Sequence, residues 1–204
     1  VKPAAAFDDE YVKNGSFETP YLSSNTAELI ADGAPDLEWT VDNTYSETAG
    51  FLKIYNTVPT TANSGDQFAE LTADGNKISQ QIETIPGATY NFGFAWSGKL
   101  NTDNNYMEIF WDNQMIWRTP ESMLEPLSYL SWNNAKIQYL TASDYLTEIS
   151  FYLPEADEGK GVFLDSISVT RKIDREAEIT SPIENQIISD GNLILDAYLI
   201  EIGR

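Results

Sequence analysis

Apolar residues recur along most of this chain with a period of two, the repeat of a half-buried β-strand. The strongest case is Tyr90, Phe92, Phe94 and Trp96, with Asn91, Gly93 and Ala95 between them. Four aromatics on one face and small groups on the other describe a strand that must be covered by a second sheet. The same alternation marks Leu37–Asp42 around Trp39, Phe51–Asn56, Gln67–Leu71, Lys77–Glu83, Tyr106–Trp111, Gln114–Arg118, Ala135–Thr141, Leu146–Leu153 and Gly161–Thr170. Tyr11–Pro20 is predicted as a short strand running into an Asn-Gly turn. Ser23–Asp36 is predicted as a loop, with one helical turn over Ala27–Ala31 as an option.

Turn chemistry punctuates the runs. Asp74-Gly75 predicts a hairpin joining Gln67–Leu71 to Lys77–Glu83, because tight primed turns need positive φ. Pro86-Gly87 supplies a second turn and Asp112-Asn113 a third. Ala135–Thr141 and Leu146–Leu153 are expected to pair across Ala142-Ser143-Asp144. Lys99–Asn105, Thr119–Leu130 and Pro154–Lys160 read as loops. About ten strands, regular turns and no long helical period predict an all-β fold, an antiparallel β-sandwich of jelly-roll type.

Composition narrows the partners. With 204 residues and 42% hydrophobic content, one sizeable sandwich core is accessible. The formal charge of −20 lacks the basic footprint that nucleic acid or an anionic membrane requires. Cations and neutral sugars fit that charge. Cysteine and histidine are both absent, which removes disulfides, thiolate chemistry and the usual zinc ligand and general base. No apolar run approaches the ~20 residues of a membrane helix, so no membrane insertion is expected. The start at Val1, without a signal-peptide pattern, reads as a processed or excised piece of something longer. Three segments are expected: a lead-in over 1–10, the sandwich over 11–173, and a linker with further strands over 174–204.

Four segments in register carry a family resemblance: Asn14-Gly15-Ser16-Phe17-Glu18, Gly65–Leu71, Ile78–Tyr90 and Phe163–Val169. Together they resemble the galactose-binding-like jelly roll of carbohydrate-binding modules, in the form found in bacterial surface and adhesin proteins. The resemblance covers Tyr11–Arg171. The stretch Ile179–Arg204, with Ser181-Pro182 and Asp190-Gly191, resembles the opening of a bacterial immunoglobulin-like repeat. The resemblance implies a non-catalytic, lectin-like module of a secreted or cell-surface protein that binds a glycan. It also implies neighbouring domains and a structural calcium ion joining the first and last strands. The implied ligands are the Ser16 and Gln67 carbonyls and the Glu18 and Asp165 carboxylates. Ser64 stands where some relatives carry a further carboxylate, and it is a weaker ligand.

Candidate ligand contacts follow from the strand Tyr106–Trp111. Met107, Ile109 and Trp111 share the core phase, which leaves Tyr106, Glu108 and Phe110 on the opposite face. Aromatic rings beside hydrogen-bonding groups are what sugar recognition needs. The adjacent loop adds Lys99, Asn101, Asp103 and Asn104, and the next strand ends at Trp117 and Arg118. The other reading of this face is a second hydrophobic layer under the Thr119–Leu130 loop. The thirty-two acids show no recognisable catalytic pair and suit a solvated acidic surface. A calcium-stiffened spacer domain that binds no sugar remains the alternative function.

Overall fold

A computed structural model describes residues 10–42, 50–56, 61–72, 76–101, 106–121, 130–154 and 161–172. Eleven strands fill these segments, with no α-helix among the described residues. They are β1 (Thr26–Ala31), β2 (Thr40–Asp42), β3 (Phe51–Asn56), β4 (Gln67–Thr72), β5 (Lys77–Glu83) and β6 (Thr89–Gly98). There follow β7 (Glu108–Trp111), β8 (Gln114–Arg118), β9 (Asn133–Thr141), β10 (Leu146–Tyr152) and β11 (Gly161–Arg171). One sheet has six strands in the order β1-β3-β4-β11-β6-β9, the other five in the order β2-β5-β10-β7-β8. Every pairing is antiparallel. The fold is therefore the expected all-β sandwich of jelly-roll type.

The core lies between the two sheets and is built by the predicted alternation. Tyr90, Phe92, Phe94 and Trp96 all point inward and are buried. Phe151 of the opposite sheet meets the Phe92 ring at 5.8 Å and the Phe94 ring at 5.9 Å. Trp39 packs edge-on against Phe151 at 6.1 Å, and Trp111 meets Tyr90 at 5.8 Å. Ring contacts of this kind add modestly to the large area each aromatic buries.

A second, smaller apolar cluster sits on the outer face of the six-stranded sheet. Phe68 lies edge-on to Phe163 at 5.3 Å and stacks on Tyr55 at 5.2 Å. Trp132 covers Phe68 at 5.6 Å and donates its indole N–H to the Thr61 carbonyl. Beside this cluster Glu70 is fully buried. Its carboxylate accepts the Tyr55 hydroxyl at 2.6 Å and pairs with Lys99 at 2.9 Å and Lys53 at 3.6 Å. A buried carboxylate survives only with such partners. Burial and the adjacent Glu70 charge push the Tyr55 hydroxyl pKa well up.

Four local expectations are corrected. Tyr11–Pro20 forms no strand: the segment is a series of bends, tied in by a bridge between Glu10 and Thr170. Within it the Asn14 side chain bonds both Thr19 backbone groups and the Leu37 carbonyl, which occupies the segment's polar groups locally. Ala27–Ala31 is not helical; it belongs to edge strand β1, where only Ile30 is buried and the alternation is masked by one solvated flank. Gln67–Leu71 and Lys77–Glu83 do not pair with each other: β4 lies in the six-stranded sheet and β5 in the other. Likewise β9 and β10 sit in different sheets. In both cases a short connection crosses from one layer to the other, as covering both faces of the core demands. Asp74-Gly75 itself, the lead-in to 9 and the whole of 173–204, including its immunoglobulin-like segment, lie outside the described residues.

Candidate functional site

The outer face of the five-stranded sheet is a grid of cross-strand rows. One row runs Lys77, Tyr152, Glu108, Arg118 across β5, β10, β7 and β8. The next runs Ser79, Ser150, Phe110, Met115. Inward neighbours Ile109 and Trp111 are buried, so the expected outward phase of Glu108 and Phe110 is what the register produces. Tyr106 donates its hydroxyl to Glu108 Oε1 at 2.9 Å. Lys77 bonds Glu148 Oε1 at 2.7 Å along the same face. Phe110 and Tyr152 are partly exposed, and Met115 is 46% exposed. The face thus offers two rings, a thioether and the half-buried Ser79, while Ser150 is buried in it and Lys77, Glu108 and Glu148 are held by partners.

The rest of the anticipated set is divided. Trp117 pairs with Ile109 and so faces inward; its ring lies edge-on to Phe94 at 5.1 Å and to Trp96 at 5.4 Å. It is a core-capping residue, displaced from the Phe110 phase by a register shift in the β7–β8 pair. Lys99 turns to the other sheet, where Glu70 holds it. Asn101 is an exposed turn residue with φ 58°. Arg118 is exposed opposite Glu108. Asp103 and Asn104 lie outside the described residues. Tyr152, Ser150 and Met115 were missed by sequence reasoning, because they reach this face only through the β10–β7 and β7–β8 registers.

The candidate metal group sits where the segment after Glu10 meets β4 and β11. Glu18 Oε1 accepts the backbone N–H of Asp66 at 2.9 Å and of Gln67 at 3.0 Å. Asp165 Oδ2 accepts from Asn63 at 2.7 Å and Ser64 at 2.9 Å, and its Oδ1 accepts from the Ser166 N–H. Burial, with the Glu18 charge adding, raises the Asp165 carboxyl pKa to about 6 against these bonds. Gly65, at φ 65°, allows this approach: a Cβ there would stand 2.2 Å from Glu18 Oε1. Ser64 contributes its backbone N–H, and Asn63 Oδ1 accepts the Ser166 hydroxyl at 2.9 Å nearby. The Gln67 side chain is a strut, donating to the Phe17 and Pro20 carbonyls and accepting from Leu22. Ser16 lies half-buried in the bend before Glu18. The candidate ligand atoms, the Glu18 and Asp165 carboxylate oxygens, are hard, which suits calcium. Among the described residues no three acids, histidines or cysteines converge, so an ion here would need carbonyl ligands as well.

No family model matches this chain, and no curated protein matches it. Solved structures do. A carbohydrate-binding module of family 61, TmCBM61, in complex with β-1,4-galactotriose, superposes with a TM-score of 0.56 at 20% identity, over 80% of this chain and 99% of that one. The Stig cyclase Fisc from Fischerella sp. TAU gives 0.57 at 12% identity, over 81% and 98%. The K2 cleaved adhesin domain of Lys-gingipain gives 0.53 at 12%, over 81% and 99%. The fold is thus the jelly roll of carbohydrate-binding modules. A cyclase is built on the same frame, so fold alone does not assign the activity.

Proposed function

We propose that this chain is a non-catalytic carbohydrate-binding module of a secreted or cell-surface bacterial protein, stiffened by a structural calcium ion. The observation that carries this reading is the outer face of the five-stranded sheet. Phe110 and Tyr152 present ring surface beside the Tyr106–Glu108 pair, the combination that stacks on sugar CH groups and bonds hydroxyls. The ligand is a neutral or weakly polar glycan, in keeping with a chain charge of −20. Glu108 and Glu148 each have a partner, Tyr106 and Lys77, which suits hydroxyl recognition better than proton transfer. Calcium rests on Glu18 and Asp165, two carboxylates close enough that one raises the pKa of the other. Bound there, the ion would supply positive charge between the Glu18 segment and β11.

A spacer domain without sugar remains the second reading, because the Glu18–Asp165 cluster would serve it equally. A glycan array with the whole chain in calcium separates the two. Binding should be modest, with each stacked ring adding about 1 kcal/mol. Tyr106→Ala and Phe110→Ala should each weaken it with little change in melting temperature. Absence of binding to every neutral glycan would leave the spacer reading. Turnover of a small-molecule substrate would move the chain to the enzymes.

A further inference from the structure

The outer face of the six-stranded sheet carries a groove of about 270 Å³ that no part of the proposed site uses. It opens over β6, between β11 and β9. Its central row is Ser168–Gly93–Lys136, read straight from the two registers. Asn91 and Thr170 form the row on one side, and Asn134 stands opposite Ala95 on the other. The floor is low because Gly93 has no side chain; a Cβ there would stand 2.9 Å from Ser168 Oγ.

Both flanking strands are irregular at this place. β11 has a register shift between Asp165 and Ser168, and β9 has one opposite Tyr90 and Phe92. Such bulges bend a strand and re-aim its side chains. Ser166, inside the first shift, lines the groove, and Gln138 and the 63% exposed Tyr139 lie inside the second, between the Ile137–Phe92 and Leu140–Tyr90 pairs. Lys172 lies 4.5 Å from the Tyr139 ring centroid, so that ring is held over the sheet edge.

The lining chemistry is unusual for this protein. The chain has 32 acids and 12 basic residues, yet the groove lining includes a lysine and no acid. Asp165, one row away, is turned onto the Asn63 and Ser64 backbone. Among the described residues, the side chains of Asn91, Asn134, Ser168 and Thr170 have no hydrogen-bond partner, and Lys136 has no ion-pair partner. Carboxamides and hydroxyls are the groups that bind sugar hydroxyls, and a single ammonium adds a seat for one carboxylate.

We infer that this groove is a second saccharide site, separate from the Phe110 face, and that it takes a sugar unit bearing a carboxylate, such as a uronic acid. The hydroxyls lie on Asn91, Asn134 and Ser168, and the carboxylate lies on Lys136. The negative field of the molecule disfavours long polyanions, while a groove lined by Lys136 and no acid suits an isolated acidic unit.

The test is amide chemical-shift mapping of the whole chain at about 0.15 M salt, where exposed charges are screened beyond ~8 Å. The probes are a uronic-acid trisaccharide and the neutral hexose trisaccharide of the same linkage. The uronate should shift Asn91, Gly93, Lys136 and Ser168 in a saturable way. Lys136→Ala should weaken its binding about fivefold, the upper range for one exposed ion pair, and Phe110→Ala should leave it unchanged. Lys136 is exposed on an edge strand, so that variant should fold. Asn134→Ala should weaken both ligands at this groove. The inference is overturned by no uronate shifts at the groove, by unchanged uronate affinity in Lys136→Ala, or by equal binding of the neutral sugar there. Loss of binding in Phe110→Ala alone would return the ligand to the other face.

Discussion

Asp165 is the residue at which the cation reading and the proton chemistry meet. It has no solvent exposure, three backbone donors and a second carboxylate nearby, and its pKa is raised from 3.8 to about 6. An acid whose folded pKa exceeds its unfolded one binds its proton more tightly when folded. Its contribution therefore favours the fold below about pH 4 and is lost as the pH rises through about 6. In chelator, the loss between these limits should be about 2–3 kcal/mol, and Asp165→Asn should lack it. Urea unfolding of both proteins between pH 4 and pH 7 isolates the effect, since the other acids are common to the two. A shared pH slope would show that Asp165 keeps an ordinary pKa. Calcium reverses the logic, because an ion holding the ionised form makes deprotonation favourable; with calcium present, the wild-type chain should gain stability as pH rises over the same range. Glu18 and Asp165 were legible as a pair only through family resemblance. Their separation in sequence carries no geometric signal, and the backbone donors that hold them belong to Asn63, Ser64, Asp66 and Gln67, whose side chains suggest nothing of the kind.

At the scale of elements, period-two alternation located ten of the eleven strands to within a few residues. The strand from Tyr90 to Trp96 was legible in full, including its need for a covering sheet, because four buried aromatics leave no other arrangement. The β7–β8 hairpin was legible for the same reason, aided by Asp112-Asn113. What alternation could not supply was the choice of sheet. β4 with β5 and β9 with β10 look like hairpins locally, yet each neighbouring pair is split between layers. A short turn permits pairing without enforcing it; core volume decides. The same limit explains Trp117. In sequence it stands beside Arg118 at a strand end, but a one-residue slip reverses the face of a side chain, and the β7–β8 shift does that here. Trp117 closes the core over Phe94 and Trp96, so Trp117→Ala should destabilise the chain by roughly 2–4 kcal/mol, a little under the range for a fully buried aromatic. Phe110→Ala, in the outward phase, should cost about 1 kcal/mol or less, within the range of surface changes. Thermal unfolding compares them directly. Equal costs would mean that Phe110 is covered, and that the Thr119–Leu130 segment makes a second hydrophobic layer there.

For the whole molecule the governing quantity is charge. Thirty-two acids against 12 basic residues repel one another in the compact state, and any added salt relieves part of that repulsion. Stabilisation by calcium is therefore expected with or without a specific site, and a rise in melting temperature alone does not identify one. The two causes differ in concentration dependence and in chemistry. Screening follows ionic strength, shortening the Debye length from ~30 Å at 0.01 M to ~8 Å at 0.15 M, and acts alike for sodium, magnesium and calcium at matched ionic strength. A site on Glu18, Asp165 and backbone carbonyls follows free calcium by mass action, adding about 2.7 kcal/mol at a hundredfold excess over its dissociation constant. It should also prefer calcium over magnesium, because the smaller ion requires a tight octahedron that a loop of carbonyls beside two carboxylates does not impose. Melting curves at fixed ionic strength, with calcium, magnesium or sodium as the variable cation, should show a calcium increment beyond the common shift. That increment should vanish in Asp165→Asn while the common shift remains. Identical curves for all three cations would reduce the Glu18–Asp165 cluster to a hydrogen-bonded strut between β4 and β11, and would leave the Gly65 approach to explain itself by packing alone.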